Sequence, residues 1–167
     1  SIAHGDPLKF VIKRRGEFTR ALFDLPVGSS VYLRGLYGAA VEPLQTPRAL
    51  LVAGGTGVAV LPALARRLHG QGTRVTTFVG TSEDPVQLGE RALLEAELEQ
   101  YGSMLTIADE GIPARVLQHL HGELVSTNDL SCYVVGPTPF MAAAVEKFRE
   151  AGVPSERIMV SLELMTL

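Results

Sequence analysis

The stretch that decides the fold of this chain reads Leu50-Leu51-Val52-Ala53-Gly54-Gly55-Thr56-Gly57-Val58-Ala59. Its apolar start predicts a short buried strand, and the glycines predict a tight turn into a helix. Glycine lets a ligand approach the backbone closely, and the first helical turn presents free N–H groups to it. A phosphate is the usual occupant of such a turn. We interpret residues 54–58 as a nucleotide phosphate site, with a plain strand-to-helix turn as the alternative.

Residues that are missing around the turn narrow the choice of nucleotide motif. No Lys-Ser or Lys-Thr pair follows the glycines, which excludes the P-loop of proteins that hydrolyse ATP or GTP. The three-glycine dinucleotide fingerprint is also incomplete, because the next predicted strand, residues 74–80, has no acidic residue at its tip. The turn therefore indicates a different phosphate-binding α/β design.

Length and composition are those of a packed globular protein. The 167 residues leave room for one full domain and part of another, and 46% of them are hydrophobic. The net charge of −3 and the lack of a basic stripe argue against a nucleic-acid partner. No apolar run approaches the roughly 18 residues of a membrane span, and no signal peptide opens the sequence.

The cysteine and histidine pattern offers no reactive centre. The single cysteine, Cys132, excludes an internal disulfide and fits a reducing compartment, so we expect a cytoplasmic protein. It begins an apolar strand and is interpreted as a buried, inert thiol. The histidines have no metal-site spacing, and His69, His119 and His121 are interpreted as residues near helix C-termini. We predict no catalytic side chain and no metal site.

From Ala49 onward, strands alternate with helices over short connections, which predicts a parallel sheet covered on both faces. The predicted strands are residues 49–53, 74–80, 104–108, 132–135 and 157–162. The predicted helices are about residues 58–68, 87–100, 114–121 and 139–151. We therefore predict an α/β fold with one doubly wound, five-stranded parallel sheet that binds its ligand at the carboxyl ends of the strands.

The first 40 or so residues have a different pattern. Residues 8–14 and 31–34 predict antiparallel strands, with a short helix at about residues 18–25 between them. So few elements cannot bury a core of their own. This piece either packs on the α/β domain or is the remnant of an antiparallel β-barrel whose earlier strands lie outside the sequence.

Four short segments of the sequence carry a resemblance to a known family. They are the turn at residues 54–59, Gly136-Pro137-Thr138-Pro139-Phe140-Met141, Gly16-Glu17-Phe18-Thr19, and Gly35-Leu36-Tyr37-Gly38. Together they resemble motifs of the ferredoxin–NADP reductase superfamily. Within it, the chain looks most like the flavin subunits that feed electrons to enzymes of the hydrogenase, sulfur reductase or dihydroorotate dehydrogenase type. The resemblance implies that residues 1–43 are the C-terminal part of an FAD-binding barrel and residues 44–167 the NAD(P)-binding domain.

The resemblance assigns roles in dinucleotide binding. The first segment resembles the NAD(P) pyrophosphate turn, although Val60 stands where proline is usual. The second resembles the Gly-Pro-x-x-Met signature that lines the nicotinamide side, although Val135 stands where a cysteine often precedes the glycine. Residues after the second strand would contact the adenosine ribose, where Glu83 and Asp84 would repel a 2′-phosphate and favour NADH over NADPH. The candidate residues are Gly54, Gly55, Thr56, Gly57, Val58, Gly80, Thr81, Ser82, Gly136, Pro137 and Met141.

It also assigns roles in flavin binding. The backbone amides at the start of the first helix, with the Thr19 hydroxyl, would bind the FAD pyrophosphate. Ser1 would be the last residue of the flavin motif Arg-x-Tyr/Phe-Ser, whose arginine and aromatic residue are absent from the sequence. We therefore expect this polypeptide to retain FAD weakly or not at all. The candidate flavin residues are Ser1, Gly16, Glu17, Phe18 and Thr19.

The last residues resemble the segment that precedes a cysteine-rich loop in the same subunits. Such a loop would hold a 2Fe–2S cluster beyond the end of this sequence. Glu163 could handle a proton near the flavin edge or be an ordinary solvated acid.

The resulting hypothesis is a flavoprotein oxidoreductase subunit that passes electrons from NAD(P)H through FAD to an iron–sulfur centre or a catalytic partner subunit. The alternative is a nucleotide-binding or docking module with no redox activity of its own. The glycine turn gives a first test. We expect Gly55→Val or Gly57→Val to abolish dinucleotide binding and to leave the fold largely intact.

Overall fold

Strands and helices follow the apolar runs of the sequence closely. The computed structural model describes residues 2–3, 9–12, 14–35, 42–81, 88–108 and 113–161. The strands are β1 (Ile2–Ala3), β2 (Lys9–Phe10), β3 (Arg48–Gly54), β4 (Arg74–Thr81), β5 (Gly102–Ala108), β6 (Leu130–Val135) and β7 (Ile158–Ser161). The α-helices are α1 (Glu17–Phe23), α2 (Leu61–Gly70), α3 (Leu88–Glu99) and α4 (Thr138–Glu150), and 3₁₀ helices cover Gly55–Val60, Pro113–Gly122 and Ser155–Arg157.

Five strands form one parallel sheet in the order β5-β4-β3-β6-β7, which confirms the predicted α/β fold. The chain builds β3, β4 and β5 toward one edge and then crosses back to place β6 on the other side of β3. The strand order therefore reverses between β3 and β6. In open α/β sheets, ligands bind at the carboxyl ends of the strands at such a point.

Both faces of the sheet are covered, which explains why the central strand β3 is apolar from Ala49 to Ala53. In β3, Leu51 and Ala53 pack against α2 and α3, whereas Leu50 and Val52 pack against α4 and the 3₁₀ helix Pro113–Gly122. Cys132 is buried in the second of these cores, as predicted. No helix in the described parts of the chain has both the length and the apolar character needed to cross a bilayer.

Two of the predicted helices are wholly or partly 3₁₀ helices. The segment after the glycine turn starts as the 3₁₀ helix Gly55–Val60, and α2 begins only at Leu61. Pro62 is the second residue of α2. Proline has no N–H and is tolerated only in the first turn, so it fixes where the α-helix begins. The predicted helix at residues 114–121 is likewise a 3₁₀ helix.

The N-terminal piece is less regular than predicted. Of the strand expected at residues 8–14, the described residues include β2, paired antiparallel with β1, whereas residues 11, 12 and 14 are irregular. The paired strands β1 and β2 lie against the α2 side of the domain. β1 contacts the 3₁₀ helix Gly55–Val60, and Val11, next to β2, packs against the core beneath α2. The strand predicted at residues 31–34 is wrong, since these residues are irregular and exposed. A strand needs a partner to pair with, and β propensity alone does not supply one.

At the amino-terminal ends of the parallel strands, side-chain contacts hold the segment before β3 and the loop before β6 in place. The Leu44 N–H donates to the buried Tyr133 hydroxyl over 2.8 Å. Arg48 is paired with Glu123 (2.9 Å) and Asp129 (3.3 Å), and it also donates to the carbonyl oxygens of Glu123 and Ser126. This edge is therefore closed by specific polar contacts, opposite the edge where a ligand would bind.

Candidate dinucleotide-binding site

Three neighbouring strands have a glycine at or next to their carboxyl ends: Gly54 is the last residue of β3, Gly80 is the second to last of β4, and Gly136 follows β6. In the strand register Gly54 lies opposite Gly80, and Ala53 lies opposite Val135, which Gly136 follows. The chain leaves β3 toward the face that carries α2 and leaves β6 toward the face that carries α4. The two exits diverge, which is the arrangement in which open α/β sheets bind ligands at the carboxyl ends of their strands.

Gly55 gives the turn its shape. Its φ is +58°, in the left-handed region that disfavours every residue with a β-carbon, and it begins the 3₁₀ helix. A β-carbon built on Gly55 would meet nothing within 4 Å. The first N–H groups of a helix have no partner inside it. Open space beside uncovered backbone at the start of a helix is the arrangement in which N–H groups bind an anionic group.

Gly57 packs closely against the end of β6. A β-carbon on Gly57 would lie 2.7 Å from the carbonyl oxygen of Val135 and 2.9 Å from its carbonyl carbon. Both are backbone atoms of a central strand and cannot move aside cheaply. The expectation that Gly57→Val leaves the fold largely intact is therefore wrong, because this glycine is required by packing.

The ring of Phe140 covers the ends of β3 and β6. A β-carbon on Gly54 would lie 3.0 Å from its Cγ and Cδ1, and one on Gly136 would lie 2.9 Å from Cδ1. The latter would also lie 3.2 Å from the N and Cα of Gly54. The two strand ends are thus in near contact, with one aromatic ring against both.

The remaining dinucleotide candidates are distributed around the same edge. Gly80 and Thr81 are buried at the end of β4, and Thr56 is half-buried in the turn. Pro137 is exposed and caps the start of α4. Ser82, with Glu83 and Asp84, lies outside the described residues, so the ribose contact stays a prediction.

Val58 and Met141 are buried side chains. Val58 packs into the core beneath α2, so only its backbone is available to a ligand. Met141 is 4% exposed and packs into the core beneath α4. It also forms part of the wall of an open groove of about 600 Å³ between α4 and β7. Its side chain therefore supports the strand end from below.

The candidate flavin loop is at the start of α1. Glu17 and Phe18 are exposed, whereas Thr19 is half-buried. The Thr19 hydroxyl accepts hydrogen bonds from the N–H groups of Arg15 and Gly16, each at 2.9 Å, and donates to the Gly16 carbonyl oxygen at 3.0 Å. This hydroxyl caps the helix, and its bonds engage two of the nearby amides. Ser1 lies outside the described residues, although the adjoining β1 contacts the glycine turn segment.

Burial controls the ionisation of the single cysteine. Burial raises the pKa of the Cys132 thiol from 9.0 to about 12, which keeps it protonated. Within the described ranges, no three His, Cys, Asp or Glu side chains come together as metal ligands do.

Sequence reasoning missed two contributors to the site, Phe140 and the Val135 carbonyl. Phe140 was part of the quoted segment 136–141 but was given no role of its own. A bulky aromatic residue four positions after a glycine at a strand end is the available signal. It does not reveal that the ring also covers the glycine of another strand.

Comparison with known structures shows which class of protein has this fold. The structure of an NADH-dependent reduced ferredoxin–NADP oxidoreductase, described in a study of flavin-based electron bifurcation, matches 90% of this chain and 53% of its own. The TM-score is 0.67 and the identity 27%. The chain thus matches the ferredoxin–NADP reductase superfamily in both sequence and fold.

Curated relatives give a narrower similarity, to electron transfer subunits of dihydroorotate dehydrogenase B (NAD(+)). The probable subunit of Methanopyrus kandleri is 33% identical over 162 residues, which is 91% of this chain and 58% of the relative. The subunit of Shouchella clausii is 31% identical, over 98% of this chain and 62% of the relative. The chain therefore spans about three fifths of the length of these two relatives. No protein-family model matches it.

Proposed function

We propose that this chain is the dinucleotide-binding part of a flavoprotein oxidoreductase subunit that passes electrons from NAD(P)H through FAD to an iron–sulfur centre or a catalytic partner subunit. The observation that carries the proposal is Gly55. Its left-handed backbone and the open space beside it lie where the strand order reverses between β3 and β6. Similarity to electron transfer subunits and to an NADH-dependent oxidoreductase supports the same activity.

In the proposed complex, the backbone of residues 54–57 binds the pyrophosphate, and Gly136 with Pro137 lines the nicotinamide side. Glycines at these strand ends leave the backbone uncovered, so the negative charge is met by N–H groups rather than by a cationic side chain. Thr81 and Ser82 are placed next to the ribose. Glu83 and Asp84 in the same loop favour NADH, because their carboxylates would repel a 2′-phosphate.

The flavin is proposed to bind near the N-terminal piece. Residues 1–43 belong to the FAD-binding barrel and residues 44–167 to the NAD(P)-binding domain in this proposal. The contact of β1 with the 3₁₀ helix Gly55–Val60 supports this proposal, because it joins the N-terminal piece to the proposed dinucleotide turn. When bound, the nicotinamide supplies a hydride, and the flavin divides the electron pair into single electrons. The chain's own residues bind and orient the two groups.

A matched pair of glycine variants tests the dinucleotide site. Gly55 and Gly72 both have left-handed φ values, +58° and +82°, and neither has an atom within 4 Å of a built β-carbon. Gly72 precedes β4 and so lies at the opposite edge of the sheet. The two substitutions to valine therefore impose similar backbone strain, but only Gly55→Val fills the proposed phosphate space.

The measurement is NADH affinity by isothermal titration calorimetry, with melting temperature as the check on folding. We expect Gly55→Val to abolish measurable NADH binding, and Gly72→Val to bind like the wild type despite a similar loss of stability. Equal affinity in both variants would place the phosphate elsewhere and overturn the proposal.

The second candidate is a nucleotide-binding or docking module without redox activity of its own. This candidate is favoured by exposed apolar side chains in α1 and in the segment that follows it. Phe18 is 79% exposed, Val27 107% and Tyr32 101%. Reduction by NADH separates the two candidates when it is measured on a polypeptide extended at both ends, because we expect the 167 residues alone to retain FAD weakly or not at all. If added FAD is retained and NADH bleaches its visible absorbance, the oxidoreductase is supported; an unchanged spectrum with tight NADH binding supports the module.

A further inference from the structure

We propose that Phe140 is a positioning residue for the dinucleotide turn. Its ring fixes the end of β3 against the end of β6 and so holds the turn at residues 54–57 in the geometry that a pyrophosphate needs. The inference rests on the proposed function and assigns a role to a side chain that does not itself contact the phosphates.

The ring lies where two side chains are missing. Its Cδ1 atom is 3.0 Å from the β-carbon position of Gly54 and 2.9 Å from that of Gly136. One ring thus fills the space that side chains on both strand ends would take. With glycine at both positions, the ring is in direct contact with the backbone that opens the turn.

The ring is itself held firmly. Phe140 is the third residue of α4, is 5% exposed, and belongs to the core that also contains Ala144 and Phe148. The start of α4 is fixed by the Met141 N–H, which donates to the Pro137 carbonyl oxygen over 3.0 Å. Motion of the ring would therefore require motion of the helix.

The turn is held from two directions. Gly54 lies against the ring of Phe140, and Gly57 lies against the Val135 carbonyl. Between these two contacts, Gly55 has no neighbour at its β-carbon position. Two packed glycines thus flank a free one, so the position of the free backbone depends on the contacts beside it.

Removal of the ring would release one of the two contacts. The end of β3 could then move toward the void, and the N–H groups of the turn would lose their alignment with the phosphates. We expect about a tenfold loss of affinity, equivalent to one or two backbone hydrogen bonds. A residue that merely fills the core would lower stability without this loss.

Phe148 provides the control. It is on the same helix and in the same core, is 0% exposed, and is eight residues further along, which is about 12 Å from Phe140 along the helix axis. The variants are Phe140→Ala and Phe148→Ala, with Phe140→Leu and Phe148→Leu as a milder pair should the alanine variants fail to fold. Each is measured for melting temperature, NADH affinity and amide hydrogen exchange of the peptide that contains residues 54–57.

We expect the members of each pair to lose similar amounts of melting temperature. Only the Phe140 variants should bind NADH about tenfold more weakly and exchange the turn amides faster. If wild-type protein binds NADH and the Phe140 variants bind it equally well, or if the Phe148 variants weaken it as much, the positioning role is overturned while the proposed function stands. If wild-type protein binds no NADH, the proposed function is overturned and the positioning role with it.

Discussion

Gly57 and Val135 are in contact through their backbones: a β-carbon on Gly57 would lie 2.7 Å from the Val135 carbonyl oxygen. The contact joins the turn after β3 to the last residue of β6. Gly55, two residues earlier in the same motif, has open space at its β-carbon position where Gly57 has none.

We predict that Gly57→Ala destabilises the protein by about 1–3 kcal/mol, because the added methyl group overpacks a site whose neighbours are backbone atoms. Gly70→Ala is the control. Gly70 is the last residue of α2, and its β-carbon position is open, so alanine should be neutral or stabilise the helix by up to about 1 kcal/mol. Urea unfolding measures both. Equal stability of the two variants would contradict the close contact.

Arg48 gives a prediction about the amino edge of the sheet. Burial opposes its charge, but its hydrogen bonds to Glu123 and Asp129 raise the pKa of the guanidinium. Its Nε is buried without a partner among the described residues. We expect Arg48→Gln to cost about 3 kcal/mol, because two carboxylates and two carbonyl groups lose their donor.

An exposed arginine provides the comparison for Arg48. Arg14 lies 3.4 Å from Asp24, and both side chains are more than half exposed. Arg14→Gln should cost less than about 1 kcal/mol, since solvent weakens such pairs. Chemical denaturation of the two variants gives the difference, and similar losses would show that the partial burial of the Arg48 group adds nothing.

Cys132 gives a prediction about pH. Burial raises the pKa of its thiol to about 12, against the smaller opposing effect of the Arg48 charge. Above about pH 9 the unfolded chain loses this proton while the folded protein keeps it, so the unfolded state binds fewer protons and stability falls as pH rises toward 12. The slope from this one group approaches about 1.4 kcal/mol per pH unit.

The variant Cys132→Ala isolates that contribution. Its free energy of unfolding should be lower at pH 8 because of the smaller side chain, but it should fall less steeply than the wild type between pH 8.5 and 10.5. Other groups that titrate in this range are common to both proteins and cancel in the comparison. Parallel curves would mean that the thiol ionises as readily in the folded protein as in the unfolded chain.

The sequence allowed the sheet to be predicted because each central strand is a short apolar run between turn residues. Residues 49–53 and 132–135, for example, lie within β3 and β6, each of which is two residues longer than predicted. The start of α2 was less predictable, since the effect of Pro62 depends on which helical turn it occupies. The strand predicted at residues 31–34 failed because pairing depends on a neighbour that local sequence does not specify.

The candidate site was predictable to the level of its segments but not of its individual side chains. Glycine in a turn can mean close approach of a ligand, as proposed for Gly55, or close approach of the protein's own backbone, as found for Gly57. The sequence does not distinguish these cases. Nor does it show that Phe140 contacts glycines of two strands, because Gly54 and Gly136 are 82 positions apart and meet only in the folded sheet.

The contact between Gly57 and Val135 also bears on engineering. A nucleotide-binding loop transplanted from another protein would bring its own residue to position 57, yet its fit would be decided by a strand some 78 positions away. Redesign of cofactor preference in this scaffold must therefore treat residues 54–57 and the end of β6 as one exchangeable unit. Libraries that randomise the loop alone would be populated mainly by members that are destabilised at position 57.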